Sequence, residues 1–319
     1  MAHRYTPQRV VVTPPGSALF LVVTVRDGGE GPILDLLSDM AGLRRTVGFR
    51  SPRDDLSCTV GIGSRLWDRL YEGARPAGLH PFRALDGARH RAVSTPGDLL
   101  FHVRAERADL CFELARRVME RLEGHADLVD EVHGFRFFDQ RDLLGFVDGT
   151  ENPEGALAVA SVLVGDEDPE FAGGSYVIVQ KYLHDLGAWN ALTVEEQERV
   201  IGRHKLSDVE IPDDDKAPDS HLALNTITGP DGRELKIVRE NMAFGSVAEG
   251  ASGTYFVGYS RTPDVTERML RNMFLGDPPG NHDRILDVST AVTGGLFHVP
   301  TEEFLEAPPR ARDFGDSGG

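Results

Sequence analysis

Between residues 17 and 138 the hydrophobic period switches repeatedly between that of a strand and that of a helix. The order of those switches limits the fold more than any other feature of the chain. Residues 17–25 form an apolar, β-branched run, the pattern of a buried strand. Residues 31–47 carry Ile33, Leu36, Leu37, Met40 and Leu43 at helical spacing, and Gly48 follows as a stop signal. Residues 56–62 predict a second strand, 64–72 a short helix and 98–104 a third strand. Residues 105–122 predict a helix with Leu110, Phe112, Leu114, Ala115 and Val118 on one face, and 130–138 alternate as a fourth strand.

Strand, helix, strand, strand, helix, strand is the order of a ferredoxin-like unit, an antiparallel sheet with helices packed on one face. The second half repeats that order without a visible sequence repeat. Strands are expected at 158–164, 175–183, 235–240, 254–259 and 296–299, with helices at 193–204 and 262–274. The first of those helices opens on a Thr-x-x-Glu capping box, Thr193 and Glu196. The expected fold class is therefore α+β, two ferredoxin-like halves at residues 1–144 and 145–306. The segment 307–319, rich in Pro, Gly and charge, is expected to be a flexible tail.

Composition narrows the partners. A chain of 319 residues suits about two domains. Its 34 basic against 51 acidic residues leave a net charge of −17, which repels nucleic-acid phosphates and anionic lipid. The longest apolar run, Ala18 to Val23, is far shorter than the roughly 20 residues of a membrane span. Arg4 and Arg9 precede Val10–Val12, but Pro14-Pro15 ends that run before a secretory core can form, so a cytoplasmic location is expected. Cys58 and Cys111 lack C-x-x-C spacing, and the histidines show no H-x-x-x-H pattern, so neither disulfides nor zinc sites are indicated.

Three stretches carry chemistry. Gly145-Phe-Val-Asp-Gly-Thr-Glu-Asn-Pro-Glu-Gly155 cannot continue a helix or a central strand and reads as a structured loop between the halves. Its Asp148 is either a capping residue or an acid held for proton transfer in a low-dielectric cavity. Ser220-His-Leu-Ala-Leu-Asn225 embeds His221 in a short apolar run after an acidic loop (Asp208, Glu210, Asp213, Asp214, Asp215, Asp219). That histidine is either a satisfied core residue or a ligand. The acidic loop is either a solvated face or a divalent-cation site, though it lacks the spacing of a calcium loop. In Ile237-Val-Arg-Glu-Asn-Met-Ala-Phe244, strand alternation puts Arg239 and Asn241 on one face, and Arg239 must then be ion-paired or face a cavity.

Together these stretches resemble the dye-decolorizing peroxidases, most closely the bacterial B-type subfamily. Gly145-Phe-Val-Asp148-Gly149 stands for the family's Gly-x-x-Asp-Gly hallmark, extended by Thr-Glu-Asn-Pro. His221 fills the position of the proximal haem ligand, and Arg239 and Asn241 fill the distal Arg-x-Asn. The resemblance runs from the first strand to Leu286-Asp287 and Val292-Thr293-Gly294.

The resemblance implies one haem b per chain with His221 as the axial ligand to iron. Asp287, or failing that Asp283, is the expected acid on the other ring nitrogen. Asp148 would move a proton between the peroxide oxygens, Arg239 would stabilise the charge on the leaving oxygen, and Asn241 would hydrogen-bond in the same pocket. Arg203 and the backbone amides of Gly149, Thr150 and Glu151 are expected donors to haem propionates, and Phe256, Phe244 and Phe274 possible haem walls. Electron transfer through Trp189, Tyr176, Tyr182 or Tyr255 is a further possibility.

The implied activity is reduction of hydrogen peroxide through a ferryl species, with dyes, phenolic compounds or Mn(II) oxidised in one-electron steps. The alternatives are a haem carrier, sensor or iron-release protein using the same pocket, and a haem-free hydrolase using the acidic loop. The family tends to form homo-oligomers. Residues 310–319 lack an apolar docking segment, so loading into an encapsulin shell is not expected.

Overall fold

The structure, a computed structural model, describes residues 5–314. In its first half, strand β1 (Ser17–Val25) is followed by helix α1 (Glu30–Gly48), β2 (Ser57–Ile62) and α2 (Ser64–Leu70). A small hairpin, β3 (Leu85–Asp86) and β4 (Arg91–Ala92), leads to β5 (Leu99–Ala105), α3 (Ala108–Leu122) and β6 (Ala126–Phe135). The second half contains α4 (Gly155–Val162), β7 (Ser175–His184), α5 (Leu186–Asn190), α6 (Val194–Ile201) and α7 (His221–Asn225). A second small hairpin, β8 (Ile227–Thr228) and β9 (Glu234–Leu235), precedes β10 (Val238–Arg239), β11 (Met242–Ser246) and β12 (Ala251–Ser260). Then come α8 (Pro263–Leu275), β13 (Ser289–Ala291), β14 (Gly295–Val299) and α9 (Glu302–Glu306).

The first half orders its strands β6-β1-β5-β2 and the second β14-β7-β12-β11, so both follow the ferredoxin-like pattern of fourth, first, third, second. The β2–β14 and β11–β6 pairings close the two sheets into one barrel, with His298 facing Ile62 at one seam and Ala243 facing Phe135 at the other. Closure leaves no long open edge. It also explains the unbroken apolar run of β1. Phe20 and Val22 point into the barrel with Val177, Val257 and Phe297, while Leu19, Leu21 and Val23 pack outward beneath α1 and α3.

Four local expectations give way to packing. Residues 155–162 are helical rather than extended: Ala158 and Val162, one turn apart, are buried, while Leu157 is exposed. A short apolar run fits either period, and here the helical one buries the better face. On α3, Cys111 takes the buried place expected for Phe112, which is 55% exposed. Strand β6 ends at Phe135, and Phe138 sits exposed with a φ of 45°. Residues 307–314 dock onto the first half: Glu72 donates its backbone N–H to the Arg310 carbonyl and Arg312 donates to that of Leu70. The remaining residues of the expected tail, 315–319, lie outside the described residues.

Candidate functional site

The second half carries a cleft with about 150 Å³ of space open to the centre of a water molecule. Leu144, Phe146, Ile201, Ile237, Phe256 and Met273 give it largely apolar walls, and His221, Asp148, Arg239 and Asn241 all reach it. A deep apolar cleft with a few converging polar groups is the usual form of a small-molecule or cofactor site.

His221 opens the one-turn helix α7, whose start is capped by the buried Ser220 accepting from the Ala223 N–H at 3.4 Å. Its Nδ1 lies 2.7 Å from Oδ2 of Asp283, a fully buried carboxylate. Asn225 donates to the same oxygen at 3.4 Å and to the His221 carbonyl at 2.7 Å. Asp283 is held in turn by the Ile285 N–H on its Oδ1, capping the 3-10 turn Arg284–Asp287. The carboxylate on Nδ1 fixes the proton there and leaves the Nε2 lone pair without a partner among the described residues. Asp287, the expected partner, does not reach His221. It lies at the far end of that turn and binds His90, His282 and Arg284 instead.

A second wall comes from the glycine-rich loop. Gly145 and Gly149 have φ of 91° and 82°, which side chains rarely adopt, and they turn the chain sharply on either side of Asp148. Asp148 Oδ1 accepts from Nδ2 of Asn241 at 3.1 Å. The other end of that amide, Oδ1, accepts the Val257 N–H of β12 at 3.2 Å. Asn241 thus supplies the acceptor for a ladder rung, and β10 and β11 are interrupted at this residue. Asn152, four residues beyond Asp148, hydrogen-bonds both backbone groups of Arg239.

Asp142 also lines the cleft, and sequence reasoning missed it because it precedes the loop motif. Its Oδ1 accepts from the Phe146 N–H at 3.0 Å, and burial together with the nearby Asp148 pushes its carboxyl up to about 7. Asp142, Asp148, Arg239 and Asn241 also face a second cavity, of about 100 Å³ by the same measure, bounded by His102, Phe137 and Met242. The acid-arginine group therefore stands between two spaces. His184, likewise on the cleft wall, is kept neutral near neutral pH, since burial pushes its pKa down to about 4.

At one corner of the cleft Arg203 pairs closely with Glu151 and donates to the Asp208 carbonyl at 2.7 Å. Glu151 bridges to Lys236 at 3.0 Å, so this corner already holds a carboxylate between two cations. The backbone N–H groups of Gly149, Thr150 and Glu151 donate to no other group among the described residues, while the Thr150 hydroxyl donates to Asp208. Phe256 lines the cleft, but Phe274 does not. It is 1% exposed in the core beneath α8, and Phe244 is likewise buried in the barrel core. In the acidic loop Lys216 pairs with Glu210 and Asp213, which partly neutralises it.

Comparison with known proteins follows the same outline. A family model described as Dyp-type peroxidase, N-terminal, matches residues 8–136, and one described as Dyp-type peroxidase, C-terminal, matches residues 139–304. The chain is 63% identical over 303 residues to a dye-decolorizing peroxidase of Mycolicibacterium paratuberculosis (strain ATCC BAA-968 / K-10), covering 95% of this chain and 86% of that protein. Among solved structures it is similar to an encapsulated DyP-type peroxidase from Mycobacterium smegmatis (TM-score 0.94, 61% identity, 96% of this chain and 99% of that one). It is also similar to a Rhodococcus jostii RHA1 DypB variant in complex with heme (TM-score 0.93, 57% identity, 94% of this chain and 98% of that one). A DypB variant in complex with manganese matches with the same figures.

Proposed function

The chain belongs to the Dyp-type peroxidase family, and from that premise we propose that it holds one haem b in this cleft, where His221 would hold the iron, and reduces hydrogen peroxide there. The observation that carries this reading is the state of His221. Its Nδ1 is committed to a buried carboxylate, and its Nε2 has no partner among the described residues, in a ring that lines a largely apolar cleft. That is the arrangement a metal-bound histidine needs, because the second partner fixes the tautomer and strengthens the donor.

The rest of the cleft fits a haem. Its walls are apolar enough for a porphyrin, and the corner of Arg203 and Lys236 holds a carboxylate, the chemistry of a propionate. A propionate on Arg203 would take the place of the Glu151 carboxylate, with the amides at Gly149–Glu151, which donate to no other group among the described residues, as further donors. Phe256 serves as a wall in this reading and Phe274 does not.

Haem supplies the redox-active iron at which peroxide is reduced. Around it the side chains divide the remaining work. Asp148 takes the proton from one peroxide oxygen and returns it to the other. Arg239 stabilises the negative charge that gathers on the departing oxygen, where a cation in a desolvated site counts most. Asn241, fixed by the Val257 N–H, orients Asp148. Asp283, rather than Asp287, strengthens His221 through Nδ1.

Dyes, phenolic compounds and Mn(II) are the proposed reductants. The net charge of −17 favours cationic donors, and a DypB relative is described in complex with manganese. A cytoplasmic homo-oligomer completes the reading. Among the described residues no helix is long and apolar enough to cross a membrane.

The test is the absorption spectrum of haem-loaded protein before and after one equivalent of peroxide, beside His221→Ala and Arg239→Leu. The expected result is a Soret band that His221→Ala weakens or shifts, that peroxide changes rapidly in wild type, and that responds at least about a hundredfold more slowly in Arg239→Leu. A Soret band that peroxide only bleaches slowly in wild type would point to a haem carrier or sensor. Failure to retain haem would overturn the reading.

A further inference from the structure

His90, from the first half, is far in sequence from His282 and Asp287, and the three meet on the surface where the two halves touch. We infer that they form a binding site for one divalent transition-metal cation of the zinc or copper class, which ties the halves together beside the turn that carries Asp283.

The three ligand atoms all lie within 4.8 Å of one another. Asp287 Oδ1 is 3.0 Å from Nε2 of His90 and 3.1 Å from Nε2 of His282, and the two rings are 4.9 Å apart between centroids. Bonds of about 2.0–2.2 Å at a tetrahedral angle require ligand atoms about 3.3 Å apart, so small rotations of the side chains would close the site. Two imidazoles and one carboxylate suit zinc or copper rather than calcium or magnesium, and a water would complete the fourth position. Each ring would bind as neutral imidazole through Nε2, with its proton on Nδ1.

The backbone presents these groups firmly. His90 closes the turn between β3 and β4, where the Gly87 N–H donates to the His90 carbonyl at 3.0 Å. That turn is pressed against the end of α8, because a Cβ at Gly87 would lie 2.0 Å from the Phe274 carbonyl oxygen. The second oxygen of Asp287 accepts from Arg284 Nε at 2.8 Å, which leaves Oδ1 turned toward the histidines. That arginine orients the carboxylate, and its positive charge weakens cation binding without blocking it. All three groups are partly shielded, with 22%, 14% and 31% of their side chains exposed.

The location gives the ion a consequence. His282 and Asp287 bracket Asp283, so a metal bound to both would clamp the turn that positions the carboxylate on His221.

The site can be tested on tag-free, haem-loaded protein by calorimetric titration with zinc chloride and by electron paramagnetic resonance with one equivalent of Cu(II). The expected outcome is one zinc per chain, weakened at least tenfold by His282→Ala and by His90→Gln. The copper spectrum should show two nitrogen ligands in wild type and one in each variant. The variants lie on different segments, so if one fails to retain haem the other still decides. Absence of saturable zinc binding overturns the site. So does affinity unchanged in the variants, or binding that disappears only in Glu210→Gln, which would place the ion in the acidic loop.

Discussion

Asn152 holds the backbone of Arg239 with both ends of its side-chain amide. Nδ2 donates to the Arg239 carbonyl at 2.7 Å, and the Arg239 N–H donates to Oδ1 at 2.9 Å. Arg239 pairs with Gly258 of β12 on its other side, so Asn152 acts as a one-residue strand on the open edge. Asn152→Asp keeps one acceptor but turns a carboxylate oxygen toward the Arg239 carbonyl. Losing one such bond and adding repulsion costs about 1–3 kcal/mol, enough to displace Arg239. The expected result is a fall of roughly tenfold or more in kcat/KM for peroxide with the haem spectrum unchanged, read by stopped-flow absorbance. Unaltered kinetics would mean that Arg239 is positioned without this clamp.

The two acids at the ends of the Arg284–Asp287 turn give opposite expectations. Asp283→Asn leaves an amide oxygen to accept from His221 Nδ1 but removes the negative charge. Peroxidase activity should fall about 10- to 100-fold, and the haem reduction potential should rise as the imidazole donates less. Asp287→Asn should leave both quantities near wild type, because Asp287 does not touch His221. Potentiometric titration of the two variants decides the matter, and a rise with Asp287→Asn alone would reverse the assignment.

The sequence disclosed the site more fully than its supports. Asp148, His221, Arg239 and Asn241 stand in three stretches, a glycine-rich loop, a histidine in an apolar run and an arginine on a strand, each of which alone also admits an ordinary structural role; their combination in a family-like order is what singles them out. All four reach one cleft. Asp283 and Asp287 are four residues apart on one short turn, and which of them meets His221 depends on that turn's rotation, which no periodicity encodes. Asp142 carries no motif of its own, and burial is what makes it notable. The helix at Gly155–Val162 was hidden for a related reason: eight apolar or small residues with no charge among them satisfy either period, and only the packing of Ala158 and Val162 chooses. The strand order was more legible, since the first half's alternation already implied the ferredoxin-like pairing. The seams that close the barrel were not, because each rests on a single pair of facing residues.

Asp142 makes a prediction about pH. Burial and the charge of Asp148 push its carboxyl up to about 7, from the ordinary range near 4 expected of it in the unfolded chain. The folded protein therefore binds this proton more tightly than the unfolded chain does. Its contribution to stability is complete below about pH 4 and is lost as pH rises through 7. Asp142→Asn keeps an oxygen to accept from the Phe146 N–H and cannot ionise. The variant should match wild type at pH 4 and be more stable at pH 8, on the order of 1–3 kcal/mol, in denaturant titrations at both values. Equal stability at pH 8 would mean that Asp142 is ionised without penalty.

Between Arg239 and Asn241, Glu240 turns the other way and meets Arg104 inside the protein. The contact is 2.5 Å, with side chains 1% and 5% exposed. Arg104 also donates to Thr59 and to the Arg9 carbonyl, whereas Oε1 of Glu240 has no partner among the described residues. A buried pair left with an unsatisfied oxygen adds little net stability, because desolvation offsets most of the attraction. Removing one partner is another matter, since it strands the remaining charge. Arg104→Met should therefore destabilise the fold by about 3–5 kcal/mol. Because Glu240 lies between two site residues, it should also slow the reaction with peroxide. Adding Glu240→Leu to Arg104→Met should recover most of the lost stability, so the double variant is more stable than Arg104→Met alone. A double variant no more stable than Arg104→Met, measured by chemical denaturation, would overturn this reading, and strictly additive losses would mean that the two side chains are not coupled.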